Sequence, residues 1–135
     1  MPRLLPLLVL AVTVTAGASH AQGSSPAADI AGTWSGTYAG DGSGKYTMVI
    51  SREAGKLTGT VDTVADGAGE YKATFKSIVV DGKAVKMAYD EPDNPTLEVS
   101  LEATVDGASM TGTWKSTNTD TKNVVASGTF TGSRN

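Results

Sequence analysis

From residue 30 onward, apolar and polar side chains alternate one by one along the chain. In the segment 97–105, Leu, Val and Ala occupy the odd positions, whereas Glu, Ser and Thr occupy the even ones. The same alternation occurs over 71–76 and 85–90. A period of two places one set on a buried face and the other on a solvated face, which is typical of antiparallel strands. The pattern therefore predicts an all-β chain.

Turn-forming residues separate the alternating segments at short intervals. Asp66-Gly67, Asp81-Gly82 and Asp106-Gly107 are hairpin signals, because glycine accepts the positive φ that type I′ turns require. Eight short sequential strands favour a single eight-stranded up-and-down antiparallel β-barrel, since closure removes exposed edges. A two-sheet sandwich is the alternative, but it usually needs a long crossover connection. The predicted strands are about 31–39, 45–52, 56–63, 70–79, 83–90, 96–105, 109–116 and 124–133.

Two short motifs at the ends of this domain resemble those of a known superfamily. Gly32-Thr33-Trp34 opens the first predicted strand and Arg134 ends the last. A Gly-x-Trp with a closing basic residue resembles the calycins, which comprise lipocalins, fatty-acid-binding proteins and avidins. The resemblance implies a barrel in which Gly32, Trp34 and Arg134 form a structural closure, with the arginine packed across the tryptophan.

Among calycins, the Leu57-Thr58-Gly59-Thr60 segment is most similar to an avidin, but the biotin contacts do not carry over. Gly36 stands where streptavidin has an asparagine, and Val61 stands where the family has a tyrosine. The resemblance therefore implies the calycin architecture and no particular member's activity.

The first 21 residues have the layout of a cleaved secretory signal peptide. Arg3 supplies a positive region, an apolar run over 4–14 follows, and Ser19 and Ala21 are small residues before a cut after Ala21. A membrane anchor is the alternative, but the run is shorter than the ~20 residues that a spanning helix needs. We expect a secreted or periplasmic protein with a flexible lead-in at 22–29, a barrel domain at 30–135 and no membrane span after cleavage.

Composition removes several classes of chemistry from the expected mature chain. The sequence has no cysteine, and its one histidine, His20, belongs to the predicted leader. Thiol and histidine catalysis and the usual zinc and copper ligands are therefore excluded, and we expect no cofactor and no metal. Without Arg3 the net charge of −3 becomes −4 and no basic stripe occurs, so nucleic acid is not an expected partner.

Alternate residues of a strand face the same side, so the apolar positions predict which side chains line the barrel interior. None of the inward positions assigned in this way carries a carboxylate, lysine or amide, and catalysis usually needs such a group in a dry cleft. The side chains have two interpretations: core filler in a narrow barrel, or the walls of a ligand pocket. The predicted ligand-binding residues are Trp34, Tyr38, Tyr46, Tyr71, Phe75, Met87, Tyr89, Trp114 and Phe130.

These observations favour a non-catalytic binding protein whose partner is a small apolar or amphipathic ligand. The alternative is a protein-interaction module, either a protease inhibitor or an envelope component, with a filled core. An enzyme is the third hypothesis, and the missing histidine and cysteine argue against it. The acidic segment 90–95 could hold calcium, but its two prolines and spacing favour a solvated connection. The sequence leaves the ligand and the oligomeric state open.

Overall fold

A computed structural model describes residues 28–135. The predicted signal peptide 1–21 and positions 22–27 of the predicted lead-in lie outside the described residues. No helix long and apolar enough to cross a membrane occurs in the described part of the chain. The all-β prediction is confirmed, with every regular element of residues 28–135 a strand. The strands are β1 (Gly32–Gly40), β2 (Gly44–Glu53), β3 (Lys56–Ala65), β4 (Glu70–Thr74), β5 (Ser77–Asp81), β6 (Ala84–Glu91), β7 (Asn94–Asp106), β8 (Ser109–Asn118) and β9 (Val124–Arg134).

All nine strands belong to one antiparallel sheet, in the order β4-β3-β2-β1-β9-β8-β7-β6-β5. Every neighbour in that order is also the next strand along the chain, except that β1 pairs with β9. The hairpins form where the sequence predicts them: Gly82 and Gly107 both have a φ of 60° in the two-residue turns before β6 and β8. A side chain there would be strained, which explains why Asp-Gly marks these turns.

The predicted eight-stranded closed barrel is not confirmed. The predicted strand 70–79 is divided into β4 and β5 by Phe75 and Lys76, and no ladder joins β4 to β5. The Phe75 amide donates to Gly59 O (2.9 Å) in β3, whereas the Lys76 amide donates to Ala88 O (2.8 Å) in β6. The chain therefore leaves one edge of the sheet at this point and joins the other.

The sheet is rolled, because its two edge strands are only two residues apart in the chain. In a flat sheet of nine strands the edges would be about 38 Å apart, at ~4.8 Å for each of the eight spacings. Rolling places one face of every strand toward a common interior. The buried apolar side chains of that interior are Ile30, Trp34, Tyr46, Met48, Ile50, Val61, Ala73, Phe75, Val85, Met87, Tyr89, Val99, Leu101, Ala103, Val105, Met110 and Phe130.

A close approach between β1 and β9 explains one of the interior glycines. Gly36 pairs with Gly132, and a Cβ on Gly36 would overlap the carbonyl oxygen of Thr131. Glycine is therefore required there by the distance between two backbones.

Candidate functional site

One end of the rolled sheet encloses a cavity of about 320 Å³. It lies where β1, β3, β6 and β8 end and where β2, β4, β7 and β9 begin; we call this end the open end. Pockets that hold small molecules have volumes of about 300–1,000 Å³, so the cavity lies at the lower limit of that range. Its lining residues are Tyr38, Asp41, Gly42, Tyr46, Met48, Val61, Thr63, Ala65, Tyr71, Tyr89, Glu91, Leu97, Val99, Leu101, Trp114, Ser116, Val125, Ala126 and Phe130.

Six of the nine predicted ligand-binding residues line this cavity. They share an aromatic ring and the inward face of a strand, and they are Tyr38, Tyr46, Tyr71, Tyr89, Trp114 and Phe130.

The other three, Trp34, Phe75 and Met87, are buried in the core and do not line the cavity. Parity identifies the face on which a side chain lies, but it does not give the depth along the strand. Phe75 packs edge-on against Tyr89, with ring centroids 5.8 Å apart, and so supports a cavity wall from behind.

The aromatic walls are held in fixed orientations by pairwise contacts. Tyr38 and Trp114 form an edge-to-face pair with ring centroids 6.1 Å apart, and Tyr46 and Phe130 form another at 5.9 Å. The indole N–H of Trp114 donates to the carbonyl oxygen of Ala39 at 3.1 Å. Such pairs contribute about 0.5–1.5 kcal/mol beyond burial, so they favour one orientation of each ring.

Hydroxyl groups give the cavity a polar lining. The hydroxyls of Tyr71 and Tyr89 lie 2.9 Å apart and share a hydrogen bond. The hydroxyls of Tyr46 and Ser116 are buried and have no hydrogen-bond partner among residues 28–135, but the Tyr46 hydroxyl lies against Gly132, which does not line the cavity. A buried polar group left unpaired costs about 1–3 kcal/mol, and a ligand that bonds to it removes that cost.

Burial also changes how the tyrosines ionise. It raises the pKa of Tyr46 from 10.0 to about 12. Burial, followed by the neighbouring Tyr71, raises the pKa of Tyr89 strongly. Both hydroxyls are therefore neutral at physiological pH and can donate or accept hydrogen bonds.

Two carboxylates also line the cavity, which corrects the prediction that no such group lies inward. Glu91 is the next odd-numbered residue after the inward-facing side chains of β6. It was missed because the predicted strand ended at 90. Extending the parity of Val85, Met87 and Tyr89 by two residues would have found it. Burial, and then the charge of Asp93, raise the pKa of Glu91.

The second carboxylate, Asp41, lies in the connection between β1 and β2, where strand parity has no meaning. Its Oδ2 accepts a hydrogen bond from the Ser127 amide at 2.9 Å, which fixes the loop beside the opening of the cavity.

The opposite end of the interior is filled, and the predicted closure residues lie there. The guanidinium carbon of Arg134 is 4.9 Å from the ring centroid of Trp34, whose indole N–H donates to Ile30 O at 2.9 Å. A Cβ on Gly32 would lie 3.1 Å from Cδ of Arg134. The fully buried Ile30 packs in the core just before β1. Gly32, Trp34 and Arg134 therefore lie together at this end.

The last residues of the predicted flexible lead-in also make contacts at this end. Ala28 donates its amide hydrogen to Gly82 O at 2.9 Å, and Asp29 O accepts a hydrogen bond from Arg134 at 2.6 Å.

The acidic side chains of the described residues are not grouped as metal ligands. Within residues 28–135, no three or more His, Cys, Asp or Glu side chains are grouped so that they could hold a metal ion. The acidic segment 90–95 forms a tight turn between β6 and β7, with Glu91 paired to Asn94.

Comparisons of the chain with protein-family models, with curated proteins and with solved structures found no significant similarity.

Proposed function

We propose that this protein is a secreted or periplasmic, non-catalytic binding protein that holds a small apolar or amphipathic ligand in the cavity at its open end. The observation that carries the proposal is the 320 Å³ cavity, whose lining contains six aromatic side chains. A ligand pocket of this kind is largely apolar and has a few polar groups that fix orientation. An interaction module with a filled core would not need this volume.

The proposal includes a calycin-like barrel as the architecture. Two observations support it: the edge strands β4 and β5 adjoin through Phe75 and Lys76, and Arg134 packs across Trp34 at the filled end. The proposed binding surface is then the inner wall at the open end, formed by Tyr38, Tyr46, Tyr71, Tyr89, Trp114 and Phe130.

Tryptophan fluorescence tests this function directly, because the two tryptophans lie in different places. Trp114 lines the cavity, whereas Trp34 lies under Arg134 at the filled end. Titration with a panel of short-chain alcohols, fatty acids and retinoids should change the emission of the parent protein. Replacing Trp114 by Phe should remove the change, and Trp34→Phe should keep it.

A pair of variants distinguishes the cavity from the outer surface. Ala126→Phe places a ring in the cavity wall, whereas Ala84→Phe places the same ring on an exposed position of β6. We expect Ala126→Phe to weaken binding at least tenfold and Ala84→Phe to leave it unchanged. No fluorescence response and no rise in Tm across the panel would contradict the proposed function, and equal binding by the two variants would contradict its location.

A further inference from the structure

The two charged side chains that line the cavity have the same sign. Its only ionisable side chains besides the tyrosines are Asp41 and Glu91, and no lysine or arginine lines it. A smaller depression of about 250 Å³ beside it adds Glu70 and Asp93, again without a basic residue among its lining side chains. An anionic ligand would therefore meet repulsion, whereas a cation would meet attraction.

Glu91 is partly desolvated without a compensating positive charge. Among residues 28–135, the ion pairs join Arg52 to Asp29 and Lys76 to both Asp90 and Glu98, and none includes Glu91. Its side chain also makes no hydrogen bond within this part of the chain. A carboxylate taken out of water without a partner is costly, and a cation placed beside it would reduce that cost.

One buried hydroxyl and the aromatic faces of the cavity can also interact with an ammonium group. The hydroxyl of Ser116 is unpartnered, and the residue is only 6% exposed. Its oxygen can accept a hydrogen bond, as can the carboxylate of Glu91. An ammonium group has three donors and no acceptor, and aromatic faces attract it further through cation–π interactions.

We propose that the ligand is a small primary amine in its ammonium form, attached to a short apolar chain or ring. The inference rests on the proposed function and specifies the chemical class of its ligand. The ammonium lies beside the carboxylate of Glu91, and the apolar part contacts the side chains of Met48, Val61 and Leu101.

Three ligands with the same octyl chain isolate the effect of the polar group: octylammonium, octanol and octanoate. Isothermal titration calorimetry at neutral pH, below the concentrations at which they aggregate, measures each Kd. We expect octylammonium to bind about tenfold more tightly than octanol, because the cation–π and charge interactions favour the cation, and octanoate to bind most weakly.

The variant Glu91→Gln removes the charge with little change of shape. It should fold, because neutralising a partly desolvated carboxylate removes a cost, and urea unfolding verifies this. We expect it to reduce the preference for octylammonium over octanol at least threefold. Glu53→Gln is the matched control, since it removes the same charge from an exposed position at the filled end and should keep the preference.

The outcomes separate this inference from the function on which it rests. Octanol binding as tightly as octylammonium would overturn the amine inference and leave the binding function intact. Failure of all three ligands to bind would overturn both. A preference for octylammonium that survives Glu91→Gln unchanged would overturn the placement of the ammonium group at Glu91.

Discussion

Replacing Arg134 by alanine tests whether its side chain closes the filled end of the sheet. The half-buried guanidinium packs over Trp34, with its central carbon 4.9 Å from the ring centroid. It donates hydrogen bonds to Asp29 O at 2.6 Å, to Ala31 O at 3.3 Å and to Gly107 O at 3.4 Å. One side chain thus joins the segment before β1, the turn before β8 and the end of β9.

These contacts allow an estimate of the loss of stability in Arg134→Ala. The cation–π contact is worth about 1 kcal/mol at a partly exposed site. The short bond to Asp29 contributes about 1–1.5 kcal/mol, and the two longer bonds together add about 0.5 kcal/mol. We therefore expect the free energy of unfolding to fall by about 3 kcal/mol, whereas an ordinary surface substitution changes it by no more than about 0.5 kcal/mol. Arg134→Lys keeps the charge but loses the planar fork, so it should recover less than half.

Urea unfolding followed by tryptophan fluorescence measures this loss, since Trp34 is fully buried in the folded state. Arg52→Ala is the matched control: it removes an arginine at the same end, and the Arg52 side chain is 51% exposed with only a 3.9 Å ion pair to Asp29. A midpoint shift in Arg134→Ala no larger than that in Arg52→Ala would refute the closure and remove one support of the proposed barrel architecture.

Two further predictions concern the backbone and the ionisation of the core. Gly36→Ala should destabilise the fold by about 3 kcal/mol, because its Cβ would overlap Thr131 O, and Gly69→Ala, where no atom lies within 4 Å, should be neutral in the same urea assay. The raised pKa of Tyr46 stabilises the fold at neutral pH, and this contribution should be lost as pH rises from 10 toward about 12, at a cost of about 3 kcal/mol that Tyr46→Phe removes. Urea unfolding midpoints measured between pH 10 and about 12 follow this loss of stability. If the midpoint falls with pH equally steeply in the parent and in Tyr46→Phe, the prediction is contradicted.

The sequence predicts which aromatic side chains face the interior, but it does not predict which of them lie at the depth of the cavity. Aromatic residues at inward positions, such as Tyr38 and Trp114, were identified because parity depends only on a residue's place in its own strand. Depth within the interior depends on how neighbouring strands are staggered, which no local pattern records. Trp34 and Met87 were therefore assigned to the cavity with the others, although they lie in the core.

The sequence by itself determined the local structure of this protein. Alternation with a period of two specified the strands and their buried faces, and Asp-Gly pairs specified hairpins such as that at Gly107, because both signals act over a few residues. Only the tertiary structure decided that the strand after Glu70 divides at Phe75 to join both sheet edges, and that Asp41 reaches the cavity from a loop. Those features arise from contacts between segments far apart in the chain, where the rolling of the whole sheet sets the distances.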